Sequence, residues 1–330
     1  MTPNLLTYRN NFQDIENIDI ISIKEEYNEN FLYTIAIPTY KRSKDLAQTL
    51  NSIKKQYGDV KFNVLIVDNN PERDDETEQL ISTFNIPYTS YVKNSQNIGM
   101  CGNWNRLFQL CKTKYLIMLH DDDCLFPHFM STINHIVINT PHISCLNTNK
   151  KAWGGERIEF SNPLKLSNKC TYYNKYSNFT AFYFGAPSGC LFNVEDVKNI
   201  GGFNPNVYPS FDYILILNLS LQNKIILKTK EKLLLYRITN NTTSLLDTQI
   251  KWLAIDEEIK TELSNILKIP SFYTKLTIYF MIRLRLRAIN KIDPNYRYKG
   301  LKGGGYIFLC FYKIWDNLNK FIYTLNYATL

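Results

Sequence analysis

The sequence predicts an α/β fold in which a mostly parallel sheet is covered by helices on both faces. Three apolar runs rich in Ile, Val and Leu each end in polar or turn residues: YTIAIPTY (33–40), FNVLIVDNN (62–70) and KYLIMLHDDD (114–123). Short runs of this kind are typical of strands buried on both faces. Segments with helical spacing separate the runs, and an alternation of strands and helices indicates a parallel sheet.

The elements follow one another in a regular order. Residues 1–30 are polar and mixed, and we expect them to form a leader packed on the domain. SKDLAQTLNSIKKQ (43–56) starts with a serine and carries apolar residues at helical spacing. DDETEQLISTF (74–84) and NWNRLFQLCK (103–112) predict two further helices, with a short strand, YTSYV (88–92), between them. Because parallel sheets bind ligands at the carboxyl ends of their strands, the polar strand ends mark the expected site.

Composition narrows the class of protein. The chain has 330 residues, 45% of them hydrophobic, which suits a globular protein with a sizeable core. Its seven cysteines are scattered and form no Cys-x-x-Cys pair, which argues against a disulfide framework or a zinc ribbon. The N-terminus lacks the features of a signal peptide, and no uninterrupted apolar stretch reaches about 18 residues. We therefore expect a cytoplasmic protein.

The positive charge is concentrated near the C-terminus. Residues 270–330 carry ten Lys or Arg and two Asp, a net charge of +8. The whole chain has the same net charge, +8. The preceding residues are therefore neutral overall. This asymmetry argues against a partner such as nucleic acid and for a local basic surface.

Three adjacent aspartates, Asp121, Asp122 and Asp123, end the third apolar run. A solvated turn or a helix cap is one explanation for them. A divalent cation would remove their mutual repulsion, and hard oxygen ligands suit Mg²⁺ or Mn²⁺, which often bind substrate phosphates as well. Asp68, at the end of a neighbouring strand, is expected to reach into the same crevice.

Other aspartate-rich sites fit the sequence less well. An EF-hand loop would need an acidic or amide ligand at position 125 and glycine at 126, where Leu125 and Phe126 stand. A haloacid-dehalogenase-like phosphatase would need threonine or valine at position 125. A sugar-nucleotide pyrophosphorylase would need a glycine-rich loop after the first strand, and IPTYKR (37–42) contains no glycine.

Five segments taken together resemble family-2 glycosyltransferases in order and spacing over roughly residues 33–245. They are IAIPTYKR (35–42), VLIVDNN (64–70), NIGMCGNWN (97–105), YLIMLHDDD (115–123), and GGFNP (201–205) followed by SFDY (210–213). The resemblance implies the GT-A fold, a Rossmann-like α/β/α sandwich around a central mixed, mostly parallel sheet. It also implies a metal-dependent, inverting transfer of a hexose from a nucleotide-diphosphate donor, usually a UDP-sugar, to an acceptor hydroxyl.

The resemblance also implies a set of donor-binding residues. In this family the first aspartate pair lies toward the ribose, and the last aspartate lies toward the metal and the diphosphate; Asp121 is a further candidate metal ligand beside Asp123. Asp68 matches the aspartate that recognises the donor base. The remaining nucleotide-sugar-binding candidates are Pro38, Thr39, Tyr40 and Arg42 of the first loop, Asn97 and Gly99 of the nucleotide loop, Asn105, and Arg237.

Asp212 is the candidate catalytic base. It occupies the place of the family's catalytic carboxylate, between Phe211 and Tyr213, whose rings are expected to desolvate it partly and raise its pKa. The alternative is an N-cap for the apolar segment YILILNLSLQ (213–222), because aspartate is a good cap. Both roles can hold together.

The chain departs from the family pattern at two places. Trp104 stands where many members carry arginine, which puts a diphosphate contact there in doubt. Thr239 stands where a histidine often helps to bind the metal or diphosphate. The four histidines of this chain, including His120, read as structural or surface residues.

The C-terminal region, residues 251–330, is predicted to be a basic and aromatic helical appendage to a transferase domain of residues 31–250. TKLTIYFMIRLRLRAI (274–289) fits a strand or a helix, whereas residues 306–325 carry one apolar helical stripe. The members of that stripe are Ile307, Phe311, Ile314, Trp315, Leu318, Ile322 and Leu325. The stripe suits packing in the core, a homo-oligomer interface, or peripheral attachment to the anionic inner face of the cytoplasmic membrane.

The family analogy suggests a glycan or lipid-linked glycan acceptor in the synthesis of bacterial surface polysaccharide or lipo-oligosaccharide. Two other functions remain open at this point. One is a phosphatase with Asp121 as the nucleophile, and the other is a non-catalytic membrane-surface or assembly protein with the same fold.

Overall fold

The computed structural model describes residues 6–155, 170–180, 185–238 and 245–325. Within these ranges, ten strands form one mixed sheet. Their bounds are β1 Ile20–Lys24, β2 Tyr33–Thr39, β3 Phe62–Asp68, β4 Thr89–Asn94, β5 Tyr115–Met118, β6 Cys124–Leu125, β7 Ile143–Trp153, β8 Cys170–Tyr173, β9 Cys190–Asn193 and β10 Ile225–Arg237.

The sheet has the spatial order β1-β4-β3-β2-β5-β9-β7-β10-β6, with β8 also beside β10. The predicted parallel core is present, because β2 pairs in parallel with both β3 and β5, and β3 pairs in parallel with β4. β9 runs antiparallel to β5 and β7, and β10 is parallel to β7. The sheet is therefore mixed, and the strand ends of β2, β3 and β5 lie side by side.

Among the described residues, the first seven α-helices lie between strands and the last three follow the last strand. Their bounds are α1 Ser43–Lys54, α2 Glu76–Thr83, α3 Gly99–Leu110, α4 Phe129–Asn139, α5 Lys175–Thr180, α6 Val194–Asn199, α7 Phe211–Leu221, α8 Leu246–Ile266, α9 Ser271–Ile292 and α10 Tyr306–Leu325. α3 starts at Gly99, four residues before the predicted segment 103–112. β5 ends at Met118, before the three aspartates.

Two apolar clusters form the core, one on each face of the sheet. In β2, Ala36 belongs to one cluster, while its neighbours Ile35 and Ile37 belong to the other, as the two-residue repeat of a strand requires. Helices α3, α6, α7 and part of α8 cover the first face, whereas α1, α2 and α4 cover the second. The predicted α/β/α sandwich is confirmed.

The N-terminal leader is part of the sheet rather than only packed on it. β1 pairs with β4 in antiparallel orientation. Asn11 donates its backbone N–H and its side-chain amide to the carbonyl of Gly201, at 3.0 and 2.9 Å. A Cβ at position 201 would lie 1.9 Å from the Arg9 carbonyl oxygen, so only glycine fits there. The φ of Gly201, +84°, is also a conformation that favours glycine. The GGFNP segment is thus where the leader docks.

The C-terminal region is helical, and the competition between strand and helix over 274–289 is resolved by α9. The predicted boundary at residue 250 falls inside α8, and Ile259 and Leu263 of that helix join the core of the sheet domain. α10 packs on α9 through Trp315, whose ring lies 5.5 Å from that of Phe280. Within the described residues, no helix is both long enough and apolar enough to cross a membrane.

Candidate active site

A cavity of about 460 Å³ opens at the carboxyl ends of the parallel strands. Its wall combines the loop after β2, the start of α3, the loop after β5, the start of α7, and α8. Nine of the predicted site residues line it: Pro38, Thr39, Tyr40, Arg42, Asn97, Gly99, Asp121, Asp122 and Asp212. The topology predicted this edge, because adjacent parallel strands bring their polar ends together.

Asp121 and Asp122 are both held by the loop that follows β2. Thr39 donates its hydroxyl to Asp121 at 2.8 Å, and Arg42 donates to Asp122 at 2.8 Å and lies 3.6 Å from Asp121. Burial raises the pKa of Asp121 to about 7, although the Arg42 guanidinium and the Thr39 hydroxyl oppose this shift. Arg42 therefore supplies part of the positive charge that the aspartates need.

Asp123 is completely buried and is fixed by the end of β10. Its Oδ1 accepts the backbone N–H of Arg237 at 2.9 Å, while the Arg237 side chain donates to the Asp122 carbonyl at 2.9 Å. The guanidinium also stacks over the Trp153 ring at 4.3 Å. Burial, and next the charge of Asp122, raise the pKa of Asp123 to about 7. Arg237 thus holds the backbone and side chains of the acidic loop in place, but it does not line the cavity.

The described residues contain a group that could hold a divalent cation. One ligand atom each from His120, Asp122 and Asp123 lies within 4.8 Å of the others. Asp123 Oδ2 and His120 Nε2 are buried without a hydrogen-bond partner among the described residues. A buried carboxylate oxygen and a buried ring nitrogen without partners, in residues of one such group, fit a metal ion. Asp121, the other predicted ligand, lies outside this group, and His120, interpreted as structural, lies in it.

His120 is held in the site by an aromatic neighbour. Its ring stacks on Trp104 with centroids 5.2 Å apart, and Trp104 also meets Phe203 and Phe211 edge to face. Burial lowers the pKa of His120 to about 4, so the ring is neutral at pH 7 and can act as a ligand. The tryptophan at the family's arginine position therefore contributes packing where a cation is common in relatives.

Asn69 organises the nucleotide loop at the start of α3. Its side-chain amide donates to Asn97 Oδ1 at 2.7 Å and to the Gly99 carbonyl at 3.3 Å, and its Oδ1 accepts the Ile98 N–H at 3.0 Å. Gly99 has the predicted positive φ, +72°. Asn69 was not among the predicted site residues, although its place after Asp68 at a strand end was the available signal.

Asp68 is buried and does not line the cavity. Its carboxylate is fully buried and accepts hydrogen bonds from Tyr91 at 2.8 Å, Lys93 at 3.1 Å and the Asn70 N–H at 2.9 Å. Burial raises its pKa, and these three donors oppose the shift. In this arrangement Asp68 braces the loop that carries Asn69.

Asp212 lies at the second position of α7, so the N-cap position belongs to Ser210, whose side chain makes no capping bond. Its Oδ1 accepts the N–H of Tyr213 at 2.7 Å. Burial raises the pKa of Asp212 to about 7; the Tyr213 N–H opposes the shift and the charge of Asp256 adds to it. A carboxyl group with this pKa that lines a cavity is suited to accept a proton near neutral pH.

The family of this chain follows from a comparison of its sequence with protein families. A model described as glycosyl transferase family 2 matches residues 34–201, just over half of the chain. The chain belongs to glycosyl transferase family 2. Family 2 membership argues against the phosphatase alternative, which rested on Asp121 alone.

Similar proteins agree with the family. A protein of Escherichia coli named as a colanic acid biosynthesis glycosyl transferase, WcaA, is 27% identical over 31% of this chain and 36% of its own length. The chain matches only 36% to 63% of the lengths of the three curated relatives found.

Solved structures show the fold of this family 2 chain. S. aureus TarS in complex with UDP superposes with a TM-score of 0.58 at 14% identity, over 81% of this chain and 76% of that one. The mannosyltransferase PcManGT from Pyrobaculum calidifontis, in complex with GDP-Man and Mn²⁺, gives a TM-score of 0.52 at 12% identity, over 90% and 87%. The fold is the GT-A glycosyltransferase fold, as predicted.

Four residues that the family resemblance singled out do not line the cavity of this family 2 chain: Asp68, Asn105, Asp123 and Arg237. Asn105 is buried and holds the GGFNP segment, because its amide donates to the Phe203 carbonyl and accepts the Phe203 N–H, each at 2.8 Å. Thr239 lies outside the described residues.

The cavity wall also contains residues that sequence reasoning did not assign to the site. They include Met100, Asn103, Trp104, His120, Tyr208, Tyr236, Thr248 and Trp252. Thr248 and Trp252 belong to α8, beyond the segment that the family model matches. No motif signalled them, because only the packing of α8 brings them to the cavity.

Proposed function

We propose that this protein is an inverting glycosyltransferase that moves a hexose from a nucleotide-diphosphate donor to an acceptor hydroxyl. One observation carries the proposal: the carboxyl groups of Asp121, Asp122 and Asp212 line a single cavity, and His120, Asp122 and Asp123 form a group that could hold a metal ion beside it. Inverting transfer needs these two groups, because charge develops on the leaving diphosphate while the acceptor hydroxyl loses its proton.

Asp212 acts as the general base. The acceptor oxygen attacks the anomeric carbon from the face opposite the nucleoside diphosphate; its proton passes to the Asp212 carboxylate, and the bond from the anomeric carbon to the diphosphate oxygen breaks. The pKa of about 7 raised by burial makes the carboxylate a stronger base than an exposed aspartate. The same pKa leaves a substantial fraction of it ionised at neutral pH.

His120, Asp122 and Asp123 would hold Mn²⁺ or Mg²⁺, with Asp121 as a further candidate. The ion would neutralise charge on the diphosphate as a Lewis acid. The mannosyltransferase of similar fold binds Mn²⁺ together with GDP-Man, and this supports a metal in the same chemistry here. Arg42 adds a second positive charge at the mouth of the acidic loop.

The donor is proposed to be a UDP-sugar, bound by Pro38, Thr39, Tyr40, Asn97 and Gly99 of the cavity wall. The S. aureus protein of similar fold binds UDP and UDP-GlcNAc, which supports a uracil nucleotide. The family gives Asp68, Asn105 and Arg237 roles in nucleotide-sugar binding. The geometry favours indirect roles for them, as supports for the loops that line the cavity.

The acceptor is proposed to be a glycan or lipid-linked glycan of a bacterial surface polysaccharide. The name of the E. coli relative supports this class of product. An acceptor on a membrane would suit a peripheral cytoplasmic enzyme, and α10 offers a surface for such contact. Phe311, Ile314 and Leu318 of this helix are 62%, 66% and 51% exposed, and Lys313 is exposed beside them.

The proposal is tested by replacing the base while keeping its shape. Asp212→Asn should retain the affinity of the parent for the UDP-sugar and lose transfer to the acceptor by a factor of about 100 or more. Donor affinity is measured by calorimetry in the presence of Mn²⁺, and transfer by release of UDP that depends on the acceptor. Transfer at the rate of the parent would exclude Asp212 as the base.

A further inference from the structure

The residues on both sides of Asp212 are tied to the C-terminal helices. Two positions before it, Ser210 donates its hydroxyl to Asp256 Oδ1 of α8 at 3.0 Å. One position after it, the Tyr213 hydroxyl accepts a hydrogen bond from the Lys260 ammonium, also on α8. Ser210, Tyr213, Asp256 and Lys260 are all at most 6% exposed, so these bonds are shielded from water.

Asp256 is in turn held by α9. Its Oδ2 accepts two hydrogen bonds from Arg285, from Nε at 3.1 Å and from Nη2 at 2.7 Å. Each carboxylate oxygen therefore has its own partner, one on α9 and one at the start of α7. A buried carboxylate with both oxygens bonded is a rigid joint, because breaking either bond leaves a buried charge unsatisfied.

Arg285 also supports the wall of the cavity. Its guanidinium carbon lies 4.7 Å from the centre of the Trp252 ring, and Trp252 lines the cavity together with Thr248. The Arg285 guanidinium thus contacts both Asp256, which holds Ser210, and Trp252 of the cavity wall. Thr248 and Trp252 line the cavity together with Asp212, the proposed base, which the acceptor hydroxyl has to reach.

We infer that the Asp256–Arg285 pair is a positioning element for the acceptor side of the site: it holds Asp212 through Ser210 and holds the acceptor-facing wall through Trp252. The inference rests on the proposed function. It assigns α8 and α9 a part in catalysis, although both helices lie beyond the segment matched by the family model. Asp256 and Arg285 are positioning residues, since neither lines the cavity.

A positioning role predicts a separation between donor binding and transfer. The donor side of the cavity is built from β2, β3, α3 and the acidic loop, none of which contacts Arg285 in the interactions described above. A displacement of a reacting group by about 1 Å can cost on the order of a hundredfold in rate. Loss of the pair should therefore lower kcat and raise the KM for the acceptor while the affinity for the donor stays the same.

The test compares Arg285→Met with the parent and with a control, Lys299→Met, whose ion pair is also made to α8. Lys299→Met breaks an exposed ion pair to Glu257, the residue next to Asp256, without touching the joint. We expect Arg285→Met to lose at least about tenfold in kcat over acceptor KM, with UDP-sugar affinity within about twofold of the parent, and Arg285→Lys to recover part of the loss. Lys299→Met should behave as the parent does.

Two results would overturn the inference. One is transfer by Arg285→Met that equals transfer by the Lys299→Met control. The other is a loss of transfer matched by an equal loss of donor affinity, which would indicate general disruption of the structure.

A second measurement does not depend on activity and separates failure of this inference from failure of the proposed function. The charged groups that act on Asp212 are Asp256, which raises its pKa, and Lys150, which lowers it. Carbon-13 NMR of labelled aspartate carboxyl groups, assigned with Asp212→Asn, should show a lower pKa for Asp212 in Asp256→Asn. An unchanged pKa would show that the joint does not reach the base, whether or not the parent transfers a sugar.

Discussion

At the scale of single residues, the acidic loop and Asp212 depend on burial for their chemistry. Asp121, Asp123 and Asp212 each have a pKa near 7, and in each case burial is the largest cause. An exposed aspartate titrates at about 4. At neutral pH each of these carboxyl groups is therefore partly protonated, unless a positive charge such as a metal ion stabilises the carboxylate.

The raised pKa of Asp212 predicts a pH dependence of transfer. Only the carboxylate form can accept the proton of the acceptor, so kcat should rise with pH through about 7 and level off above it. The rate is measured at saturating Mn²⁺, which keeps the aspartates of the metal site ionised. A rate that stays constant from about pH 5 to about pH 9 would contradict the assignment.

Asn105 gives a second residue-scale prediction, because its contacts are structural. Asn105→Ala would leave the N–H of Phe203 buried without its partner and its carbonyl with only the weak Cys101 thiol donor, which should lower the free energy of unfolding by about 2 kcal/mol. Urea unfolding measures this loss. A variant that unfolds as the parent does but binds UDP more weakly would instead support direct contact with the nucleotide.

At the scale of elements, α10 is divided between two faces. Trp315 packs toward α9, whereas Phe311, Ile314 and Leu318, three members of the predicted stripe, face outward. The side chains of Ile307, Ile322 and Leu325 lie outside the described residues. The stripe is thus neither all core nor all surface, because the aromatic contacts with α9 use the side of the helix next to it.

The outward face of α10 predicts binding to anionic vesicles. Replacing Phe311, Ile314 and Leu318 with serine should weaken this binding, while Asn317→Ser, an exposed polar change on the same helix, should not. Binding of the parent should fall with added salt, because basic residues near the surface contribute roughly 1 kcal/mol each. Sedimentation with vesicles measures both effects. Equal binding by the triple variant would remove α10 from the membrane contact.

At the scale of the whole molecule, the site joins three parts of the chain. The strands β2, β3 and β5 bring the acidic loop to the sheet edge, α7 supplies Asp212, and α8 closes the cavity with Thr248 and Trp252. A ligand that fills this cavity contacts all three parts. Its binding should therefore stabilise the whole fold rather than one loop.

Thermal unfolding with a panel of nucleotide sugars tests this expectation. A ligand present at a hundred times its Kd stabilises the native state by about 2.7 kcal/mol. We expect one UDP-sugar to raise the unfolding temperature only when Mn²⁺ is present, and Asp123→Ala to abolish the metal-dependent part. Stabilisation of Asp123→Ala equal to that of the parent would place the metal elsewhere.

The sequence by itself determined the fold class and the edge of the sheet that carries the site. Buried parallel strands must be apolar along their whole length, so each strand end is visible as the point where polar residues such as Asp68 and Asp121 begin. Asp212 was singled out differently, by its place in the family's order of motifs.

Only the tertiary structure decided what each of these residues contacts. Asp68 and Asn105 carry polar side chains in site motifs, yet both are buried as supports, because packing of neighbouring elements determines which side chains reach the cavity. His120, Trp252 and the Asp256–Arg285 pair have no sequence signature, since their roles depend on contacts between separate elements, such as His120 with Trp104 of α3 and Arg285 with Asp256 of α8. Local patterns record burial and strand ends, whereas the assembly of a site from distant helices is a property of the folded chain.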